Sequence, residues 1–270
     1  MTTLTLAAPA QATGVTPLAA DKVETHRLDG GGAVHRFDTG AFNWYVIEEA
    51  GRLTLVDAGF PGHYSTFRAG LAAIGRTERD VEAIILTHAH ADHMGFIERV
   101  RRNTNAPVFV HSADATAARR TLKLPWFTLL SNAWHPYVAG LLGHAALNGI
   151  FTAPAIRSVR AVEDGQVLDV PGRPAVIHAP GHTSGQIALW LDRGRTLLAG
   201  DVLITRHLLR GTRGAPQLAS RGLNADARRA NASLDRVRGL GDALLLTGHG
   251  HAWRGTMADA VDGARERAGV

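Results

Sequence analysis

A chain of 270 residues, 45% of them apolar, can bury one sizeable core and has an ordinary globular composition. It contains no cysteine, which excludes a disulfide framework and a thiolate nucleophile or ligand, so any metal must be held by histidine and carboxylate. The formal charge of +5 comes from scattered arginines, with Lys22 and Lys123 the only lysines; without a Lys/Arg block interleaved with aromatics, this argues against a nucleic-acid surface, which the arginines support only faintly, and reads as solvated basic exterior.

The first twenty residues are rich in Ala and Thr and lack Lys and Arg, unlike the basic start of a secretory signal. A mobile tail over 1–20 is expected ahead of one domain over 21–270. Ala33–Phe37 and Asn43–Ile47 read as paired strands around Gly40, and Leu53–Gly59 as a third strand ending in Asp57. Helical spacing over Tyr64–Ile74 and a polar turn lead to Val81–Leu86, an apolar run with the pattern of a strand buried on both faces. A helix to about Arg102, a strand over Pro107–His111 and a helix from Ser112, taken as its N-cap, through Arg120 follow.

From Thr121 to Ala153 the chain turns apolar and aromatic, broken by Pro125, Pro136 and glycines. This reads as an inserted helical flap that covers the site, or else as a homodimer contact. Strands are expected at Ile156–Val162, Gln166–Val170, Ala175–His178, Gln186–Leu191 and Thr196–Ala199. A polar loop dotted with arginine then leads to a helix near Asn224–Arg238, the strand Ala243–Leu246 and a closing helix from about Thr256. Strands clustered in both halves with helices between them predict an α/β fold of two packed sheets covered by outer helices, a four-layer αββα sandwich. No apolar run approaches the roughly eighteen residues of a membrane span, so a cytoplasmic protein without stable membrane insertion is expected.

Strand ends carry the chemistry. After Leu86 come His88, His90, Asp92 and His93, four possible ligands within six residues. Two apart in an extended segment, His88 and His90 project to the same side and share one ion; Asp92 and His93, where a helix starts, turn toward a neighbouring point. Packing gives no reason to crowd these rings there, and the arrangement suits two metals better than one. His182, in Pro180–Gly185, is placed to complete the first set, and His249, after Gly248, the second. Asp201 ends a buried strand; alone it would serve as a helix cap, but bridging two cations explains an otherwise costly carboxylate.

With Asp57, then His88, His90, Asp92 and His93, then His182, Asp201 and His249, the chain resembles the metallo-β-lactamase fold superfamily from about Asp21 onward, all five motifs in order. The resemblance implies a structural role for Asp57 and a dinuclear zinc hydrolase, with iron or manganese as alternatives. A hydroxide between the ions would attack a carbonyl, and Asp92 would relay a proton to the leaving oxygen. Asp201 and the absence of Cys argue against a true β-lactamase, His90 against the flavodiiron branch, and the residues after His249 against glyoxalase II. The residues most resemble lactonases and esterases acting on a hydrophobic small molecule. Alternatives are a mononuclear iron enzyme similar to the persulfide dioxygenases and a hydrolase of phosphotriesters, thioesters or β-lactams. Lactonases of this kind often place a tyrosine near the bridging aspartate; no tyrosine follows Tyr137, so that role falls to Tyr137 or His135 of the flap. His251 lies outside the pattern and is a candidate for supporting a ligand from behind or for carrying a proton.

Overall fold

The structure, a computed structural model, describes residues 22–120 and 126–269. The tail expected over 1–20 and the start of the flap at 121–125 lie outside the described residues.

The first half builds a seven-stranded sheet whose order follows the chain: β1 (Lys22–Arg27), β2 (Ala33–Asp38), β3 (Asn43–Glu49), β4 (Arg52–Val56), β5 (Val81–Ile85), β6 (Val108–His111) and β7 (Arg160–Val162). Pairing is antiparallel to β4 and parallel from there on. The second half builds a five-stranded sheet from β8 (Ala175–His178), β9 (Ile187–Leu191), β10 (Thr196–Gly200), β13 (Asp242–Thr247) and β14 (Trp253–Thr256), in the order β14-β13-β10-β9-β8. Between β10 and β13 the chain makes a two-stranded antiparallel ribbon, β11 (Ile204–Arg206) with β12 (Arg213–Gln217).

Alternating side chains sort the core into layers. Phe37, Val46 and Leu55 face the helices α1 (Tyr64–Ala73) and α3 (Ile97–Thr104), against Phe67, Leu71, Ile97 and Val100. Their neighbours Val34, Ile47 and Val56 face the other sheet and meet Leu189, Leu198 and Leu246. On the far side of the second sheet, Leu197 and Leu245 pack on α8 (Asp235–Arg238) and α9 (Met257–Ala268) through Val237, Met257 and Val261. Period-two burial in strands between two apolar partners is what makes the four-layer sandwich.

Several boundaries differ from expectation. The helix through Arg120 is a 3-10 turn over Ser112–Asp114 followed by α4 (Ala115–Ala118). Ser112 is not its cap, because the His111 Nδ1 accepts the amide of Ala113 at 3.2 Å. Gln166–Val170 is not a strand: Gly165 takes a positive φ and only Val167 makes a bridge, to Ala175. The stretch Ile156–Val162 pairs only over β7. The expected helix near Asn224 begins later, as α7 (Ala227–Ser233), because Asp226 accepts the Arg229 amide at 3.0 Å and caps it there. In the flap, α5 (Trp126–Ser131) and α6 (Pro136–Leu147) are helical as expected. No helix among the described residues is long and apolar enough to cross a membrane.

Candidate metal centre

Strand β5 ends at Ile85, and the next residues leave it as a turn into α2 (Ala91–Met94). That geometry delivers His88 and His90 from the turn and Asp92 and His93 from the helix. His182 comes from the loop after β8, Asp201 from the end of β10, and His249 from the loop after β13. The seven predicted residues converge. In three groups, His88 with His90 and His182, His88 with His93 and Asp201, and Asp92 with His93 and His249, the possible ligand atoms lie within 4.8 Å of one another.

Asp201 sits at the middle. Its Oδ2 is 3.2 Å from His182 Nε2, 3.1 Å from His249 Nε2 and 4.0 Å from His88 Nε2, and its Oδ1 is 3.6 Å from His93 Nε2. Asp92 Oδ2 lies 3.4 Å from His249 Nε2 and 3.7 Å from His93 Nε2. No side chain fits at Gly248, where a Cβ would fall inside van der Waals reach of Asp201 and His93.

Each ring is oriented from behind. His93 Nδ1 donates to Asp57 Oδ2 at 2.9 Å, His182 Nδ1 to Asn224 Oδ1 at 3.1 Å, and His249 Nδ1 to the Ala41 carbonyl at 2.8 Å. The Thr87 hydroxyl donates to Asp57 Oδ2 at 2.7 Å and so accepts from His88 Nδ1 at 3.1 Å. With Nδ1 engaged in these four, every Nε2 points inward. Asp57 also takes the Thr87 amide at 2.8 Å, and it holds a left-handed φ of 60° to do so. That backbone state is uncommon for a residue with a side chain and marks a position fixed by its surroundings.

The inward side has no partners. Nε2 of His88, His93, His182 and His249 and Oδ1 of Asp201 are buried with no hydrogen bond among the described residues. Leaving one such atom unsatisfied costs about 1–3 kcal/mol, and five converging orphans made of nitrogen and carboxylate donors fit cations better than any packing role. Protonation follows the same division. Burial pushes His88 well below its ordinary range and His90 to about 3, with neighbouring imidazoles adding to both. Burial opposes charge on His93 and His249 too, but Asp57, Asp92 and Asp201 outweigh it for His93, raised to about 10, and Asp201 leads for His249, also raised. The carboxylates on that side demand positive charge at the centre, and metal-free imidazoles supply it as protons.

A pocket opens onto these groups, lined by Phe42, Phe60, Leu129, Leu141, Leu142 and Ile150 around His90, Asp92, His182, Asp201 and His249. Leu129, Leu141, Leu142 and Ile150 bring the 121–153 segment onto this pocket. Neither Tyr137 nor His135 lines it. The Tyr137 hydroxyl accepts from Arg206, and His135 caps α6 through its Nδ1, so the expected tyrosine role has no occupant here. His251 joins no ligand group; its carbonyl accepts the Thr205 hydroxyl at 2.6 Å.

A model of the metallo-beta-lactamase superfamily matches residues 38–249, spanning the sites from Asp57 to His249. The chain belongs to the metallo-beta-lactamase superfamily. It is 32% identical to the probable metallo-hydrolase YflN of Bacillus subtilis over 243 residues, covering 80% of this chain and 83% of that one. With the probable metallo-hydrolase YqjP of the same organism it shares 28% identity, over 73% of this chain and 64% of the relative. Among solved structures, a metallo-beta-lactamase family protein of Thermus thermophilus superposes with a TM-score of 0.61 at 22% identity, over 92% of this chain and 79% of that chain. A subclass B3 metallo-beta-lactamase of Bradyrhizobium japonicum does so at 0.54 and 21%, over 80% and 74%. These two likenesses establish a shared fold. The sequence marks the seven residues that cluster here but not Asn224 or the Ala41 carbonyl, which nothing in the local pattern singles out. Thr87 was visible only as the residue before the histidine motif.

Proposed function

We propose that the chain is a metallo-hydrolase that uses two zinc ions to open an ester or lactone of a hydrophobic small molecule. The observation that carries this reading is the set of four buried, unpartnered imidazole nitrogens around Asp201 at the floor of an apolar pocket. His88, His90 and His182 would hold one ion, Asp92, His93 and His249 the other, and Asp201 would touch both. Bound there, the ions would polarise the substrate carbonyl and lower the pKa of water toward ~7, giving a nucleophile at neutral pH.

The chain's own residues do the rest. Asp57, Thr87, Asn224 and the Ala41 carbonyl fix the rings, so little reorganisation accompanies the reaction. Leu129, Leu141, Leu142 and Ile150 take the acyl portion and keep water from it. Asp92, only partly buried on the pocket wall, would take the proton given up by the attacking water and pass it to the leaving oxygen. Its relatives YflN and YqjP, both probable metallo-hydrolases, support the reaction class; the apolar pocket supports the substrate class. On the outer side of the flap, Phe127, Trp134 and Leu147 are exposed, which supports the expected contact between two copies, read directly by sedimentation.

Metal analysis of an active preparation, followed by a panel of lactones, aryl esters, thioesters, phosphotriesters and β-lactams, tests the proposal. It expects about two equivalents of metal per chain and the best kcat/KM on lactones or esters with long acyl chains. One equivalent, or a preference for small polar substrates, would overturn it.

A further inference from the structure

Another pair of buried polar groups lies outside this centre. In the β11–β12 ribbon, Arg206 stands directly opposite Arg213. Like charges facing each other across a ladder destabilise it, and arginine cannot escape by losing its proton. Arg206 is completely buried. Its one hydrogen bond among the described residues runs from Nη1 to the Tyr137 hydroxyl at 3.1 Å, and its guanidinium carbon lies 5.4 Å from that ring's centroid. Nε and Nη2 of Arg206 and Nε of Arg213 are buried with no partner. Burial, then the nearby Arg206 charge, push Arg213 below its ordinary range.

No carboxylate pairs with either arginine among the described residues. Asp38, the acid whose charge reaches Arg213, is already committed: Oδ2 accepts from Arg36 at 2.7 Å and Oδ1 from the Gly40 amide at 2.7 Å. The Nε–Nη2 edge that Arg206 keeps without a partner has a known use in this same molecule. Arg101 grips Glu98 through Nε at 2.7 Å and Nη2 at 2.8 Å, and Arg238 grips Asp262 through the same two atoms at 3.0 and 2.7 Å. That fork matches a planar carboxylate or a phosphate. Arg213 also lines a groove of about 970 Å³ together with Arg210, Arg221, Arg228 and Arg267, and no Asp or Glu lines it.

We propose that Arg213, backed by the buried and unpartnered guanidinium of Arg206, forms an oxyanion-binding site that takes a carboxylate or phosphate group from the arginine-lined groove. The inference stands apart from the hydrolase reading, because none of its residues is a candidate metal ligand. A bound oxyanion would turn two repelling cations into a charge-assisted network whose hydrogen bonds are roughly twice as strong as neutral ones.

Titration of the metal-loaded protein with acetate and with inorganic phosphate, followed by calorimetry and by the thermal unfolding midpoint in Tris chloride, tests it. The wild type should bind at least one probe and unfold at a higher temperature in its presence; which probe binds tells a carboxylate source from a phosphate source. Arg213→Gln should weaken binding about tenfold or more, since a charged hydrogen bond is lost. Arg206→Met should reduce the probe-dependent rise while leaving the midpoint without probe unchanged or higher, as expected when a buried unpaired charge gives way to an apolar chain. His249→Ala, which damages the metal centre, should retain the response, so failure of the metal reading is told apart from failure of this one. No response of the wild type to either probe, or a response as large as the wild type's in both arginine variants, would overturn the site, as would loss of the response in His249→Ala alone.

Discussion

The metal centre and the arginine pair both leave buried polar atoms without partners, yet they solve the problem of burial in opposite ways. The imidazoles can shed charge, and burial drives His88 and His90 to do so; only where Asp57, Asp92 and Asp201 crowd in do His93 and His249 keep protons. Guanidinium has no neutral form within reach, so Arg206 and Arg213 remain charged and uncompensated. One region is prepared for cations and the other for an anion. They are neighbours in the chain: the Thr205 amide donates to the His249 carbonyl at 3.0 Å, and Arg206 is the next residue.

Removing the carboxylate shared by both ligand sets should break the comparison most severely. Asp201→Asn is expected to lower kcat/KM on the order of 10³-fold, several kcal/mol of transition-state stabilisation, and to reduce bound metal, measured by elemental analysis, without altering oxyanion binding. Asp57→Asn comes next. Asn accepts the left-handed backbone at this position, so the fold should survive while His93 loses its anchor, with metal affinity or activity down about 10–100-fold. Equal melting temperatures with unequal metal affinity would show that Asp57 acts through His93.

Shortening the pocket wall should have a smaller and more selective effect. Leu142→Ala removes apolar contact from the acyl side, and an expected loss of about tenfold in kcat/KM for long-chain substrates, with little change for acetyl esters, follows from about 1–3 kcal/mol per apolar increment. A uniform loss across chain lengths would place Leu142 in the fold and not in specificity.

Proton linkage gives the smallest signal and the sharpest contrast. His88 and His90 are held neutral, so between pH 6.5 and about 3 the unfolded chain binds protons that the metal-free native state refuses, and these two histidines destabilise the fold as acid is added. His93 and His249 do the reverse, stabilising the metal-free fold below 6.5 and losing that contribution as pH rises, for His93 through about 10. Zinc binding near neutral pH should therefore release roughly one to two protons, from His93 and His249, counted by calorimetry in buffers of different ionisation enthalpy. Release of none would contradict the assignment of charge to the carboxylate side.

The two regions also differ in how far the chain announces them. The ligand motif was legible because its spacing couples to an apolar strand: Val81 to Leu86 must be buried, so whatever follows must emerge at a sheet end, and glycine turns repeat that exit near His182, Asp201 and His249. The layers were legible for the same reason, since alternating and continuous apolar runs dictate which faces close. The ribbon was not. Ile204–Arg206 and Arg213–Gln217 are short, polar and carry Pro216, so they read as a loop, and the cross-strand register that places Arg206 against Arg213 exists only in three dimensions. Strands β1 and β14 escaped likewise: each lies at an end of its sheet, where mixed polar sequence suffices. Asn224 is 42 residues from the ring it orients, and no pattern links them.

The most direct measurement is anomalous diffraction at the zinc absorption edge from crystals of the zinc-loaded protein. The account predicts two peaks about 3.5–4 Å apart, one within bonding distance of His88, His90 and His182, the other of Asp92, His93 and His249, with Asp201 touching both. A single peak, or peaks away from these side chains, would contradict it.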